Sequence, residues 1–348
     1  MIAKNLVAML TLSCWINSNI QAQQINDGSL QCHQSKVQQK QVSKIAVANP
    51  AEDNYDVKKV ILNLSLDNSS IDIKGEVTTV AKVVVPSMSQ YVFELNDNLQ
   101  IDSVLVNSQK LTAISLGNDI KSVSLPTPLL QNNLFRTQVF YKGSSTGTGI
   151  RNGQSQSWGT EVTYTLSEPY AAKDWWPCKQ SLQDKIDTAL LWITVPDTLK
   201  AGANGVLQQV TQLAGNKARY EWTNTTPIDY YLISIAVAPY VDYSYQVHFP
   251  NTNDSMLVQN YVYGDNAQTS PYWKQEIDSV KDMILYFSSL VGRYPFWKEK
   301  YGHCMAPLNG GMEHQTMTTL GNFGTVLTAH ELFHHWFGDH VTCATWAD

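Results

Sequence analysis

His330-Glu331-Leu332-Phe333-His334 sets two imidazoles and a carboxylate where they could act on one ion. Histidines four residues apart lie on one face of a helix, about one turn apart. Both can reach a single zinc ion, and Glu331 follows the first ligand closely enough to stand beside a metal-bound water. Metal-assisted peptide hydrolysis requires this trio. The flanks support a helix: Val326, Ala329, Phe333 and Trp336 recur at helical spacing, and Gly338 is a natural stop. That stripe is expected to be buried while His330 and His334 look into a cleft. The competing reading is an amphipathic core helix with two satisfied histidines. His335 sits about 100° round the helix from His334, and His340 lies outside the trio. For both, a surface or supporting role is expected rather than ligation.

A catalytic zinc site needs a third protein ligand and one position left for water. Downstream of His334 the only carboxylates are Asp339 and Asp348, and Asp339 is too close along the chain to fold back onto the same ion.

Upstream, Gly310-Gly311-Met312-Glu313-His314 combines two glycines with a carboxylate. Glycines permit close backbone approach, so an extended peptide could pair along Gly310, Gly311 and Met312 as along a strand edge. Glu313 would then hold the ammonium of a free N-terminus, which would make the enzyme an exopeptidase. The plainer alternative is a glycine turn with a surface glutamate. Ser167-Glu168-Pro169 precedes an aromatic cluster, Trp175-Trp176-Pro177-Cys178. A loop could deliver Glu168 to the cleft as a second ammonium acceptor; otherwise it is a surface carboxylate.

The elements that must position these groups divide the chain in two. Val60 to Leu66 ends in clean alternation, and Asp67-Asn68-Ser69-Ser70 marks a turn. Ile71–Val85, Tyr91–Leu95, Ile101–Val106, Phe135–Tyr141, Ala189–Val195 and Tyr231–Ala238 continue the strand pattern, so 45–250 reads as a β domain. Near 251 the period becomes helical. Ser270-Pro271 resembles an N-cap and first helical position, Trp273, Ile277, Val280, Ile284 and Phe287 line one face, and Gly292 ends the run. The second domain, 251–348, carries the two-histidine helix. The expected class is α+β.

The 348 residues suffice for two domains. Net charge is −6 and no basic block follows a phosphate backbone, so nucleic acid is excluded as a partner. Lys4, the apolar Leu6–Ile16 run and Ala22 read as a secretory signal over 1–22, too short to span a membrane, followed by a loose Gln- and Ser-rich leader over 23–44. No other segment is apolar enough to cross a membrane. The chain is therefore expected to be exported, to the periplasm or medium. Beyond Ala22 remain Cys32, Cys178, Cys304 and Cys343, which could form one or two bridges of unread pairing.

Together these segments resemble the gluzincin zinc aminopeptidase family of membrane alanyl aminopeptidase and leukotriene-A hydrolase, over about 52–348. His330 to Asp339 is similar to the family's HExxHxWxGN run, and Gly310 to Glu313 to its GxMEN motif as far as the glutamate. Tyr164 to Asp187, with Glu168, Trp176-Pro177-Cys178 and Asp184-Lys185, looks like its TQxE and PCxDxPxxK segments. The resemblance implies a saddle-like antiparallel β domain followed by a thermolysin-like α/β catalytic domain and one zinc ion on His330 and His334. Glu331 would activate a zinc-bound water, and Glu313 and Glu168 would grip the α-amino group of a peptide aligned on Gly310, Gly311 and Met312. It departs at His314, where the family has asparagine. The family's third ligand, a glutamate with eighteen residues between it and the second histidine, would fall beyond Asp348, and the oxyanion-stabilising tyrosine and helical domain further on. The expectation is thus an N-terminal fragment of an aminopeptidase, inactive as it stands. The alternatives are a non-catalytic scaffold or binding protein on the same fold and, more rarely, an epoxide hydrolase.

Overall fold

A computed structural model describes residues 49–264 and 266–347, with the side chains of 266–273 also set aside. The expected signal and leader, Cys14, Cys32, Asp348 and the Trp273 side chain lie outside the described residues. The fold is α+β, mostly sheet with two α-helices among the described residues.

The largest sheet has eight strands, in the order Val206–Leu213, Lys217–Asn224, Thr188–Pro196, Tyr55–Ser65, Asp72–Val83, Leu134–Ser144, Gln100–Val106 and Gln109–Leu111. Every pairing is antiparallel except Tyr55–Ser65 with Thr188–Pro196. Alternation decides the faces: Val60, Leu62 and Leu64 are buried while Ile61 and Asn63 are only partly so. The Ile71–Val85 stretch forms one long strand, Asp72–Val83. A three-stranded sheet (Ser87–Glu94, Ile120–Leu130, Ala113–Gly117) packs on it, with the Tyr91 ring against Tyr55 and Phe135. A four-stranded sheet (Lys200–Ala203, Ile235–Ala238, Glu161–Thr165, Ile150–Gln154) completes the β region. The expected strand from Tyr231 is only half present. Tyr230–Leu232 is a 3-10 turn, and pairing starts at Ile235.

The fourth sheet carries the chemistry. It runs Val241–Asp242, Ser255–Val262, Lys300–Met305, Thr318–Leu320, Gly311–Met312, with Tyr245–His248 also paired to Ser255–Val262. It therefore begins at Val241, ahead of the change of period read near 251. Ser255–Val262, Lys300–Met305 and Thr318–Leu320 are mutually parallel, and the helix Asn266–Val291 makes the first crossover. That helix starts four residues before the expected cap at Ser270, so Pro271 lies within it. Ile277, Val280 and Ile284 are its buried face, as the periodicity required, and Phe287 is partly buried. Gly311–Met312 is the last strand in that order and pairs antiparallel with Thr318–Leu320.

Specific bonds fasten this sheet to the β region. Asn204 Nδ2 donates to the Gln315 carbonyl at 2.7 Å, and Gly205 N–H to Thr316 Oγ1 at 2.7 Å. Lys300, 1% exposed, donates to the carbonyls of Thr316 (2.8 Å) and Ala203 (3.3 Å). Burial pushes its ammonium down to about 7 from an ordinary 10.5. Between those values the unfolded chain binds one more proton than the folded one, so stability rises with pH. Denaturant unfolding should show this rise from about pH 7 towards 10, and Lys300→Met should flatten it. An unchanged pH slope in the variant would mean that the carbonyls keep Lys300 charged.

Candidate active site

The helix Thr325–His334 carries the two-histidine trio, with Gly324 at its N-cap. Its buried face differs from the expected stripe. Val326 is 42% exposed and Ala329 and Phe333 are only partly buried, whereas Leu327, Thr328, Glu331 and Leu332 are buried. Two apolar rows coexist on this helix. The Leu327–Leu332 row is the one buried, and it carries Glu331 inward with it; only Trp336 of the expected stripe is buried, beyond the helix end. His330 and His334 are left partly exposed, which suits groups that must be reached from outside.

The two histidines meet. Their Nε2 atoms lie 3.1 Å apart, with rings perpendicular and centroids 4.6 Å apart. Two nitrogens each about 2.0–2.1 Å from one tetrahedral zinc lie roughly 3.3 Å apart, so the pair fits a shared ion. The tautomer fits as well. His334 Nδ1 lies 3.2 Å from the Phe337 carbonyl, which can only accept, so Nδ1 holds the proton and Nε2 offers its lone pair towards His330. The turn that brings Phe337 back is closed by Gly338 at φ +152°, past the helix end at His334. A Cβ at Gly338 would come 2.9 Å from the His334 carbonyl and 3.2 Å from its Nδ1. Among the described residues no group of three or more metal-binding side chains gathers.

Glu331 is fully buried and backs onto the edge strand. A Cβ on Gly311 would stand 2.6 Å from Glu331 Cγ and Oε1, so only glycine lets the strand lie against this carboxylate. Gly310 takes φ +123°, a conformation that side chains disfavour. The Gly310–Met312 backbone thus runs beside Glu331, on the strand that stands at the end of the sheet order.

Glu313 follows directly and is 3% exposed. Glu168 approaches from the β region, from a loop after the Glu161–Thr165 strand, joined to Pro169 by a cis peptide bond. Tyr231, which sequence reasoning passed over as a strand residue, feels the charge of both carboxylates. Burial first, then Glu313, Asp339 and Glu168, push its phenol far above the ordinary range. Tyr231 also packs on Trp346, centroids 4.9 Å apart, and the Trp346 indole donates to Tyr230 at 3.0 Å. His314 is buried, its Nδ1 2.8 Å from Thr319 Oγ1.

Beyond the helix, Lys185 ties the β region to the trio. Its ammonium donates to the Asp339 carbonyl at 2.5 Å and stands 3.5 Å from Asp229, whose carboxyl burial pushes up to about 6. His340 is exposed, as expected of a surface role, but His335 is fully buried. His335 Nδ1 and the Asp339 carboxylate lie 3.8 Å apart, yet no ion pair forms. Burial holds the imidazole far below its usual range, hence neutral, and raises Asp339. Cys178 and Cys304 are buried thiols and Cys343 an exposed one, so none of the three is bridged. Open clefts of about 570 and 630 Å³ lie on the β region, lined by Lys74 and Lys142 and by Arg151 and Tyr164. Neither includes a residue of the trio.

No family model matches the chain. Over 321 residues it is 23% identical to Leucine aminopeptidase 2 of Vanderwaltozyma polyspora, across 84% of this chain and 45% of that protein. The chain thus spans less than half the length of this curated relative. An M1 zinc metallopeptidase from Deinococcus radiodurans superimposes with a TM-score of 0.69 at 25% identity, over 85% of this chain and 67% of that one. A mutant of an M1 zinc metallopeptidase from the same organism, bound to a Tyr-Ser-Ala substrate, gives a TM-score of 0.71 at 24% identity with the same coverage. The chain has the fold of the M1 zinc metallopeptidases. In sequence it resembles the gluzincin zinc aminopeptidases, the class its motifs pointed to.

Proposed function

We propose that this chain carries the metal and peptide site of a zinc-dependent aminopeptidase that removes N-terminal residues from peptides. The observation that carries the reading is the pair of Nε2 atoms 3.1 Å apart beside a buried glutamate that abuts a glycine edge strand. His330 and His334 would hold one zinc ion. Zinc bound there supplies a Lewis acid for the scissile carbonyl and lowers the pKa of the attacking water. The Glu331 carboxylate takes the proton from that water and returns it to the leaving amine. Gly310, Gly311 and Met312 pair with the substrate backbone. Glu313, with Glu168, accepts hydrogen bonds from the α-ammonium, which fixes the scissile bond one residue from the N-terminus. A scaffold protein has no use for a fully desolvated carboxylate between a histidine pair and a glycine strand that can approach it only because it has no side chain.

No helix among the described residues is long and apolar enough to cross a membrane. Export to the periplasm or medium is proposed from the sequence of residues 1–22 alone.

The test of this reading is cleavage of aminoacyl anilides against their N-acetylated forms by the zinc-loaded protein extended past Asp348 through the expected third ligand and tyrosine. Free-amine substrates should be turned over and acetylated ones should not. Glu313→Ala should lower kcat/KM for free-amine substrates about 10–100-fold, the worth of a charge-assisted hydrogen bond, with zinc affinity unchanged. Equal cleavage of acetylated substrates by the parent would refute the exopeptidase assignment.

A further inference from the structure

His335 ends a buried hydrogen-bond chain whose proton order is determined from its far end. Asn260 Nδ2 donates to the Tyr243 carbonyl at 2.7 Å, so the atom facing His303 Nδ1 at 2.6 Å is the Asn260 oxygen. His303 must therefore carry its proton on Nδ1. Burial, and then the Lys300 charge, keep this ring neutral, down at about 3, so Nε2 is a bare acceptor. It takes the Tyr301 hydroxyl proton at 3.0 Å. Tyr301 oxygen then accepts from Thr318 Oγ1 at 3.3 Å. Thr318 has one proton, now committed, so it must accept from His335 Nε2–H at 3.1 Å. His335 is left with a bare Nδ1, which accepts from Tyr294 at 2.8 Å; the Lys300 carbonyl, 3.4 Å from the same hydroxyl, is the poorer acceptor. Reversing any link would set two donors or two acceptors face to face. All six side chains are fully buried, where such a mismatch costs about 1–3 kcal/mol.

The route of the chain gives it a task. It crosses three parallel neighbours, Ser255–Val262, Lys300–Met305 and Thr318–Leu320, and ends on the residue that follows His334. The next residue along the last strand, Thr319, pairs with Met312 on the edge strand and contacts His314 Nδ1. One short strand therefore grips the histidine helix through Thr318 and the peptide edge through Thr319.

We propose that Thr318 is a positioning residue: through the ordered chain from Asn260 to His335 it fixes the end of the metal-ligand helix against the peptide-binding edge. This rests on the zinc and peptide site proposed above. Long-range 1H–15N spectra of the full chain should show His335 protonated on Nε2 and His303 on Nδ1. Thr318→Val should scramble the His335 tautomer and speed amide exchange at Glu331–His335 at least tenfold. It should also weaken zinc about 10–100-fold, the range typical of residues that orient metal ligands, while KM changes little. Thr318→Ser should restore all of these. If Thr318→Val does not fold, Tyr301→Phe breaks the next link and should give the same pattern. The opposite tautomers, or a valine variant with unchanged exchange and zinc affinity, would overturn the proposal. A parent that binds no zinc would instead remove the proposed function, and the tautomers and exchange rates would still decide the positioning role.

Discussion

In the protein extended past Asp348, Glu331→Gln should leave zinc bound and lower kcat for free-amine substrates roughly 10²–10⁴-fold, the contribution expected of a positioned general base. The substitution keeps the shape of a fully buried side chain, so it opens no cavity beneath the helix. What it removes is the ability to take a proton and give it back. The carboxamide also avoids burying a charge, so thermal stability should stay level or rise. Zinc stoichiometry by atomic absorption and initial rates on one preparation separate the two effects. Activity within tenfold of the parent would exclude Glu331 as the base. Loss of zinc with loss of activity would mean that Glu331 helps to hold the ion.

Parts of this site could be read from the residues, and parts depended on packing. His330 and His334 converge because four residues of helix bring two side chains to one face, and that geometry is local. Strands with one wet face were legible for the same reason, as Val60, Leu62 and Leu64 illustrate. The strand Lys300–Met305 was not. It is buried on both faces, so it shows no alternation, and it contains a lysine and a histidine that look like surface residues until the sheet encloses them. The helix face was misread because Val326–Ala329–Phe333 and Leu327–Glu331–Leu332 are both spaced for burial; only the neighbouring sheet chooses between them. His335 was placed at the surface or in support by its position about 100° round the helix from His334. Its burial depends on Tyr294 and Thr318, 41 and 17 residues away, a dependence no local pattern encodes. Tyr231 was absorbed into a strand pattern, and only the fold brings it into the field of Glu313 and Glu168.

Gly311→Ala tests whether the base and the peptide edge are as close as the structure has them. The added Cβ would sit 2.6 Å from Glu331 Cγ and Oε1, closer than real Cβ contacts allow, so one of the two must move. Glu331 cannot swing away freely: it is fully buried, and Leu327 and Leu332 on its own helix are packed into the core. Gly311 differs from Gly310 in having no left-handed φ, so alanine there adds a collision without backbone strain. A displacement of about 1 Å in a catalytic group costs on the order of 10²-fold in rate, and that loss is expected for Gly311→Ala with zinc still bound. Gly310→Ala, by contrast, should lower the melting temperature first. A double-mutant cycle identifies the victim of the collision. If Gly311→Ala acts by displacing the base, it should cost little further activity once Glu331 is already glutamine. An equal loss in both backgrounds would show that the methyl group blocks the peptide along the edge strand instead, and that Glu331 keeps its position.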